Sequence, residues 1–235
     1  RVLLTVVLSI GIGLITPGSQ AAATKGSETV VLPYPAVDFS GEMRTTREGS
    51  RPDAPHHVKA PKDAPNILLV MTDDVGFAAA STFGGPVPTP NLDRLAENGL
   101  KYNRFHTTAM CSPTRASLLT GRNHHAVGSG VVQDLATGFP GYAGHMPRSA
   151  ATIAQVLTLN GYNTAMIGKH HNVEPGALSA AGPFDQWPTG LGFEYFYGFV
   201  GAEANQFTPA LYRGISPVEA PKDVILDKAL VDDAV

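Results

Sequence analysis

Asp73 and Asp74 stand side by side, Cys111 is followed four residues on by Arg115, and Lys169 precedes two histidines, His170 and His171. These three segments hold the residue types from which ester chemistry is built. Adjacent carboxylates repel each other unless a cation lies between them. Their oxygens suit a hard ion, Ca²⁺ or Mg²⁺, rather than zinc. An Asp-Asp turn in solvent is the commoner fate of such a pair. Here Gly76 gives the backbone freedom to aim both side chains. Cys111 is the single cysteine of the chain, so no intrachain disulfide can form. A leftover cysteine is either buried and inert or a reactive group. Ser112-Pro113 reads as a cap and first helical residue, which places Cys111 just ahead of a helix amino terminus. Unpaired N–H groups and the helix macrodipole favour an anion there, such as sulfate or phosphate. Arg115, on the first turn, offers a guanidinium fork to that anion or to a nucleophile. In an extended segment, residues i and i+2 share a side. That spacing pairs Lys169 with His171 and turns His170 away.

These side chains need elements to position them. Residues 66–72 are a continuous apolar run, the pattern of a strand buried on both faces of a parallel sheet, with Asp73-Asp74 at its carboxyl end. Thr89, Pro90 and Gly99 bracket a helix. Residues 100–107 alternate with aromatics as a strand does, and Gly121 closes the helix that begins beside Cys111. Residues 150–159 read as a third helix, stopped at Asn160-Gly161, and 162–167 as another buried strand. The order strand, helix, strand, helix, helix, strand predicts an α/β fold with a mostly parallel sheet sandwiched by helices. Ligands of such sheets sit beyond the carboxyl ends of strands, where all three reactive segments fall. After Trp187 the chain reads as aromatic loops. From Ile215 onward neither a strand nor a closing helix is evident.

Hydrophobic residues make up 43% and charged residues 16%, a balance that fits a packed core and excludes a disordered chain. The formal charge of -3, with no Lys/Arg run, excludes a nucleic-acid partner. Arg1, the apolar run that follows it and the small residues at 19–23 read as a secretory signal peptide over 1–23. An uncleaved membrane anchor is the alternative, although the run is short and glycine-rich for a span. Residues 24–62, rich in Pro, Gly and charge, read as an extended arm, leaving 63–235 as the main domain.

The run Cys111-Ser112-Pro113-Thr114-Arg115-Ala116-Ser117-Leu118-Leu119-Thr120-Gly121 resembles the sulfatase signature, C-x-P-S/A-R ending in L-T-G. Thr114 stands where Ser or Ala is commoner. Residues 161–171 resemble the same family's G-Y-x-T-x-x-x-G-K-x-H element, with His170 replacing the usual Trp. Asp73-Asp74-Val75-Gly76-Phe77 is similar to its D-D-x-G segment, with Ala78 where a further Gly is frequent. Residues 121–125, 191–198 and 209–212 also resemble bacterial arylsulfatases. The aromatics among them read as packing. His124 and His125 stay open between packing and a substrate entrance. The resemblance covers residues 64–214.

That resemblance implies an alkaline-phosphatase/sulfatase-like fold and a divalent metal, Ca²⁺ ahead of Mg²⁺, on Asp73, Asp74 and residue 111. It implies that a formylglycine-generating or other sulfatase-maturing enzyme oxidises Cys111 to formylglycine. One hydroxyl of the hydrated aldehyde then attacks the sulfur of a small-molecule sulfate ester, and the alcohol leaves. Deprotonation of the second hydroxyl expels sulfate and restores the aldehyde. Arg115 steadies the nucleophile, Lys169 binds a sulfate oxygen, and His171 hydrogen-bonds the diol and takes its second proton. The family draws a further acidic pair, a Lys and a His from later in the domain. None of the eight histidines follows His171, nor does an Asp-Asn pair. The implied object is therefore an amino-terminal part, with the remaining ligands beyond residue 235 and no turnover alone. Phosphate and phosphonate monoester hydrolases of the same superfamily share C-x-P-x-R, and a non-catalytic anion binder is a third alternative. The implied location is periplasmic or secreted, with no stable membrane span once the signal is cleaved.

Overall fold

The computed structural model describes residues 39–53 and 58–235. The expected signal peptide, 1–23, lies outside the described residues. Contacts divide the chain into two units, Arg1–Pro55 and His56–Val235. In the first, Glu42 and Arg51 exchange two backbone hydrogen bonds of 2.8 Å. In the second, the Ala60 N–H donates to the Gly161 carbonyl at 3.2 Å, so the last residues of the 24–62 arm are built into this unit.

The second unit is organised on a four-stranded sheet in the order β1 (Ala165–Lys169), β2 (Tyr195–Phe199), β3 (Leu211–Arg213) and β4 (Ser216–Val218). β1 and β2 run parallel, with Ala165 opposite Tyr195 and Lys169 opposite Phe199. Gly198 lies opposite Gly168, and a Cβ on Gly198 would collide with the Gly168 carbonyl oxygen. Paired glycines therefore let the two strands close up where they approach the site. β3 and β4 add on antiparallel. Their two-residue turn, Gly214-Ile215, has φ +61 at Gly214, as a tight hairpin requires. Among the described residues the sheet is thus mixed, one parallel pair extended by an antiparallel hairpin.

Helix α1 is Pro90–Glu97, α2 Cys111–Thr120, α3 Ile153–Leu159 and α4 Leu226–Ala234. α2 starts two residues earlier than its Ser-Pro pair predicts. Proline is tolerated throughout the first turn, whose N–H groups lack partners anyway. Cys111 is consequently the first helical residue, and Ser112 is free for another partner. Gly121, at φ +64, ends α2 by donating to the Ser117 carbonyl at 2.8 Å. α3 begins at 153, not 150, because Thr152 and Gln155 form a reciprocal capping box.

Three expectations fail. Residues 66–72 and 100–107 are irregular, not strands. Leu68 is 88% exposed and Leu100 84%. A strand exists only by pairing its backbone groups, and no described strand runs beside either segment. The aromatic region after Trp187 is not all loop, since it contains β2, with Phe196 and Tyr197 buried. The stretch after Ile215 does contain a strand and a helix. α4 lies against β1 and β2, with Leu226 and Ala229 buried. Tyr195 and Arg213 bind Asp233 there, each at 2.6 Å, while Asp232 is taken by Lys228. The aromatics do pack: Trp187 is fully buried against Phe184 and Tyr212.

Candidate active site

The carboxyl ends of the parallel strands β1 and β2 open onto one cleft of about 700 Å³. Lys169 and His171 enter it from the end of β1, and Ala202 and Glu203 from the segment after β2. Cys111 enters from the first turn of α2. Asp73 and Asp74 complete one wall, Val132 and Asp134 another. Asp73 and Asp74 reach it from irregular chain rather than from a strand tip.

Two hydrogen-bonded chains cross the cleft. In the first, the Asp73 carboxylate accepts from Arg115 Nη2 at 3.0 Å and from Lys169 Nζ at 2.8 Å. Arg115 Nη1 also donates to the Lys169 carbonyl at 2.7 Å. Arg115 thus ties α2 to the end of β1, and its side chain makes no hydrogen bond to Cys111 Sγ. Both cations are largely buried, and Asp73, 44% exposed, supplies the charge that makes their desolvation tolerable. Burial pushes the Asp73 carboxyl upward, but the hydrogen bonds and charges of Lys169 and Arg115 outweigh it and hold the group below its ordinary value.

In the second chain, Cys111 Sγ lies 3.0 Å from His171 Nδ1, and His171 Nε2 lies 2.7 Å from Asp134 Oδ2. His171 is only 2% exposed, while Asp134 is half exposed. Burial pulls the His171 imidazole below its usual value, although Asp134 opposes the shift. The hydrogen bond from His171 holds the Asp134 carboxyl low. Asp74 and His171 are non-glycine residues at φ +52 and +51. Backbone strain of this kind persists where the surroundings over-determine it, commonly at functional sites.

His170 turns the other way. It is fully buried, donates from Nε2 to the Gln186 carbonyl at 2.8 Å, and burial pushes its pKa down to about 4. Of the residues singled out from the sequence, Asp73, Asp74, Cys111, Lys169 and His171 share the cleft, and Arg115 lies behind Asp73. His124 and His125 do not line it. They form a short 3₁₀ turn after α2, where His125 packs on Tyr142. Asp134 was not legible, because it belongs to no motif. Its one signal was a lone acid in an otherwise uncharged stretch, residues 131–136.

For a hard divalent cation the donor set fits in kind: two adjacent carboxylates open to one cleft. It is short in number. Among the described residues no three His, Cys, Asp or Glu side chains group as a metal site, and a calcium ion takes six or more oxygens.

The sulfatase family model matches residues 65–235. An arylsulfatase from Klebsiella aerogenes is 34% identical over 158 residues, 66% of this chain and 32% of that protein. Arylsulfatase G from Rattus norvegicus is 36% identical over 171 residues, 71% of this chain and 27% of its own length. Human steryl-sulfatase is 39% identical over 139 residues, 57% of this chain and 23% of its length. The chain therefore spans a third or less of these curated relatives. The solved structure of Ps i-CgsB matches 69% of this chain and 38% of its own, with 25% identity and a TM-score of 0.53. The signature helix carrying Cys111, the cleft at the parallel strand ends and the match from residue 65 to 235 lead to one assignment: this chain belongs to the sulfatase family.

Proposed function

We propose that the protein containing this chain hydrolyses small-molecule sulfate esters, with Cys111, matured to formylglycine, as the nucleophilic position. The observation that carries the reading is the cleft in which Cys111 Sγ meets His171 Nδ1 at 3.0 Å beside the Asp73–Lys169 ion pair. A sulfuryl group seated there has Lys169 as its cation, 2.8 Å from Asp73 in the free site. Lys169 turns from Asp73 to a sulfate oxygen and stabilises charge as it develops. Arg115 keeps Asp73 and the Lys169 backbone in register while this happens. His171, whose imidazole burial pulls below its usual value, receives a proton at Nδ1 from the group at position 111. Asp73 and Asp74, with position 111, would hold part of a divalent ion's ligand shell, with Ca²⁺ put forward over Mg²⁺. When bound, such an ion lowers the pKa of an oxygen nucleophile and polarises the ester. Formylglycine, as its hydrate, supplies that oxygen in place of sulfur.

Two partners follow: a sulfatase-maturing enzyme acting on Cys111, and a sulfate ester. The apolar, small-residue leader at 1–23 supports export to the periplasm or medium. No helix among the described residues is long and apolar enough to cross a membrane.

The test is mass spectrometry of the tryptic peptide 105–115 from the whole protein, made in a host with a maturing enzyme, combined with turnover of aryl sulfate and aryl phosphate. Formylglycine at 111 with faster aryl sulfate turnover is expected. Unmodified cysteine in that host, or faster aryl phosphate turnover, overturns the reading.

A further inference from the structure

We infer that Asp134 is a positioning residue for His171, holding the imidazole so that Nδ1 faces position 111 as a hydrogen-bond acceptor. The inference deepens the proposed function and rests on it for the use made of that acceptor.

The chemistry of the partners fixes the tautomer. An ionised carboxylate only accepts, so Asp134 Oδ2, 2.7 Å away, requires the hydrogen on His171 Nε2. A neutral imidazole then carries its lone pair on Nδ1, the atom 3.0 Å from Cys111 Sγ. Without the carboxylate, nothing at Nε2 selects this tautomer over its opposite, which would aim a hydrogen at position 111. A carboxylate behind a functional histidine sets ring orientation and basicity in this manner.

The backbone is built to deliver the arrangement. The chain neighbours of all three side chains meet at Ser112. Ser112 follows Cys111 directly. The Gln133 N–H, one residue before Asp134, donates to Ser112 Oγ at 3.0 Å. Asn172 Nδ2, one residue after His171, donates to the Ser112 carbonyl at 3.0 Å. Ser112, Gln133 and Asn172 are all buried, so these bonds are not exchanged for water. The knot holds His171 at φ +51 and carries the short turn Gln133–Leu135, with Asp134, up to the ring. A solvated acid touching His171 by accident would need no such anchoring.

The test uses the whole matured protein and two readouts. In aryl sulfate turnover, Asp134→Ala and Asp134→Asn are expected to lower kcat about 10- to 100-fold, the range for loss of an orienting partner, with KM little changed. In a His171→Ala background, Asp134→Ala should cost nothing further, because its only route to the reaction has gone. A full additional loss in that background, or a raised KM with kcat intact, overturns the proposal. The second readout needs no turnover: nitrogen NMR of labelled histidines should show His171 as the Nε2–H tautomer, and a mixture in Asp134→Asn. An Nδ1–H ring in the parent protein, or a ring unchanged in the variant, refutes the role of Asp134. If the protein cleaves no sulfate ester yet shows the tautomer and its change, the functional reading fails while the positioning stands. Thermal midpoints within a few degrees of the parent mark the variants as folded.

Discussion

Arg115 and Asp73 are 42 residues apart in sequence and 3.0 Å apart in space, joined where α2 meets the cleft wall. The guanidinium fork spends its other arm on the Lys169 carbonyl at 2.7 Å. Lysine offers no second planar donor for that task. Arg115→Met should destabilise the protein by about 1–3 kcal/mol, less than a fully buried pair because Asp73 is 44% exposed. Denaturant midpoints measure it. Arg115→Lys should recover part of the stability but little of the turnover, because Lys169 is no longer held in place.

His170 gives the protein an acid-sensitive core. Its folded pKa is about 4, below the ordinary value of 6.5. Above the ordinary value the ring is neutral in both states and pH does not act through it. As pH falls from about 6.5 toward 4, the unfolded chain takes up a proton that the folded one refuses. Stability should therefore drop across that window, by up to about 3 kcal/mol. His170→Gln should flatten this part of a pH series of urea melts.

Gly198 faces Gly168 across the parallel pair, and the space between the strands admits no Cβ. Gly198→Ala should cost about 1–3 kcal/mol through overpacking. It should also cut turnover, since β1 carries Lys169 and leads directly into His171. A variant that loses stability but keeps its kcat would show that the site does not depend on this register.

Chelation of divalent ions from the whole protein should abolish sulfate-ester turnover, and added Ca²⁺ should restore it. The 235 residues alone should bind the ion weakly, because among the described residues the carboxylate pair supplies too few oxygens for a hard cation. Calorimetric titration of both forms with Ca²⁺ decides this.

Much of the site was legible before the fold, for a local reason. Cys111 and Arg115 lie on a single helical turn, and Lys169 and His171 on one short segment, so spacing alone set their relations. The apolar run at 66–72 misled because its pattern reports hydrophobicity, while a strand needs a neighbour. The helix at Leu226–Ala234 was missed although its apolar residues recur at helical spacing, because it lacks a side-chain cap to announce it.

The sequence by itself determined which residue types could do chemistry and which of them share an element. It also determined that one cysteine stands at a helix start. Only the tertiary structure decided that Asp134 backs His171, that Arg115 is hydrogen-bonded to Asp73, and that His170 belongs to the core. Each of those outcomes joins atoms from segments dozens of residues apart, or turns a side chain by one backbone torsion. Neither leaves a periodic trace in the chain, because the energies that choose them arise only once the partners are desolvated together.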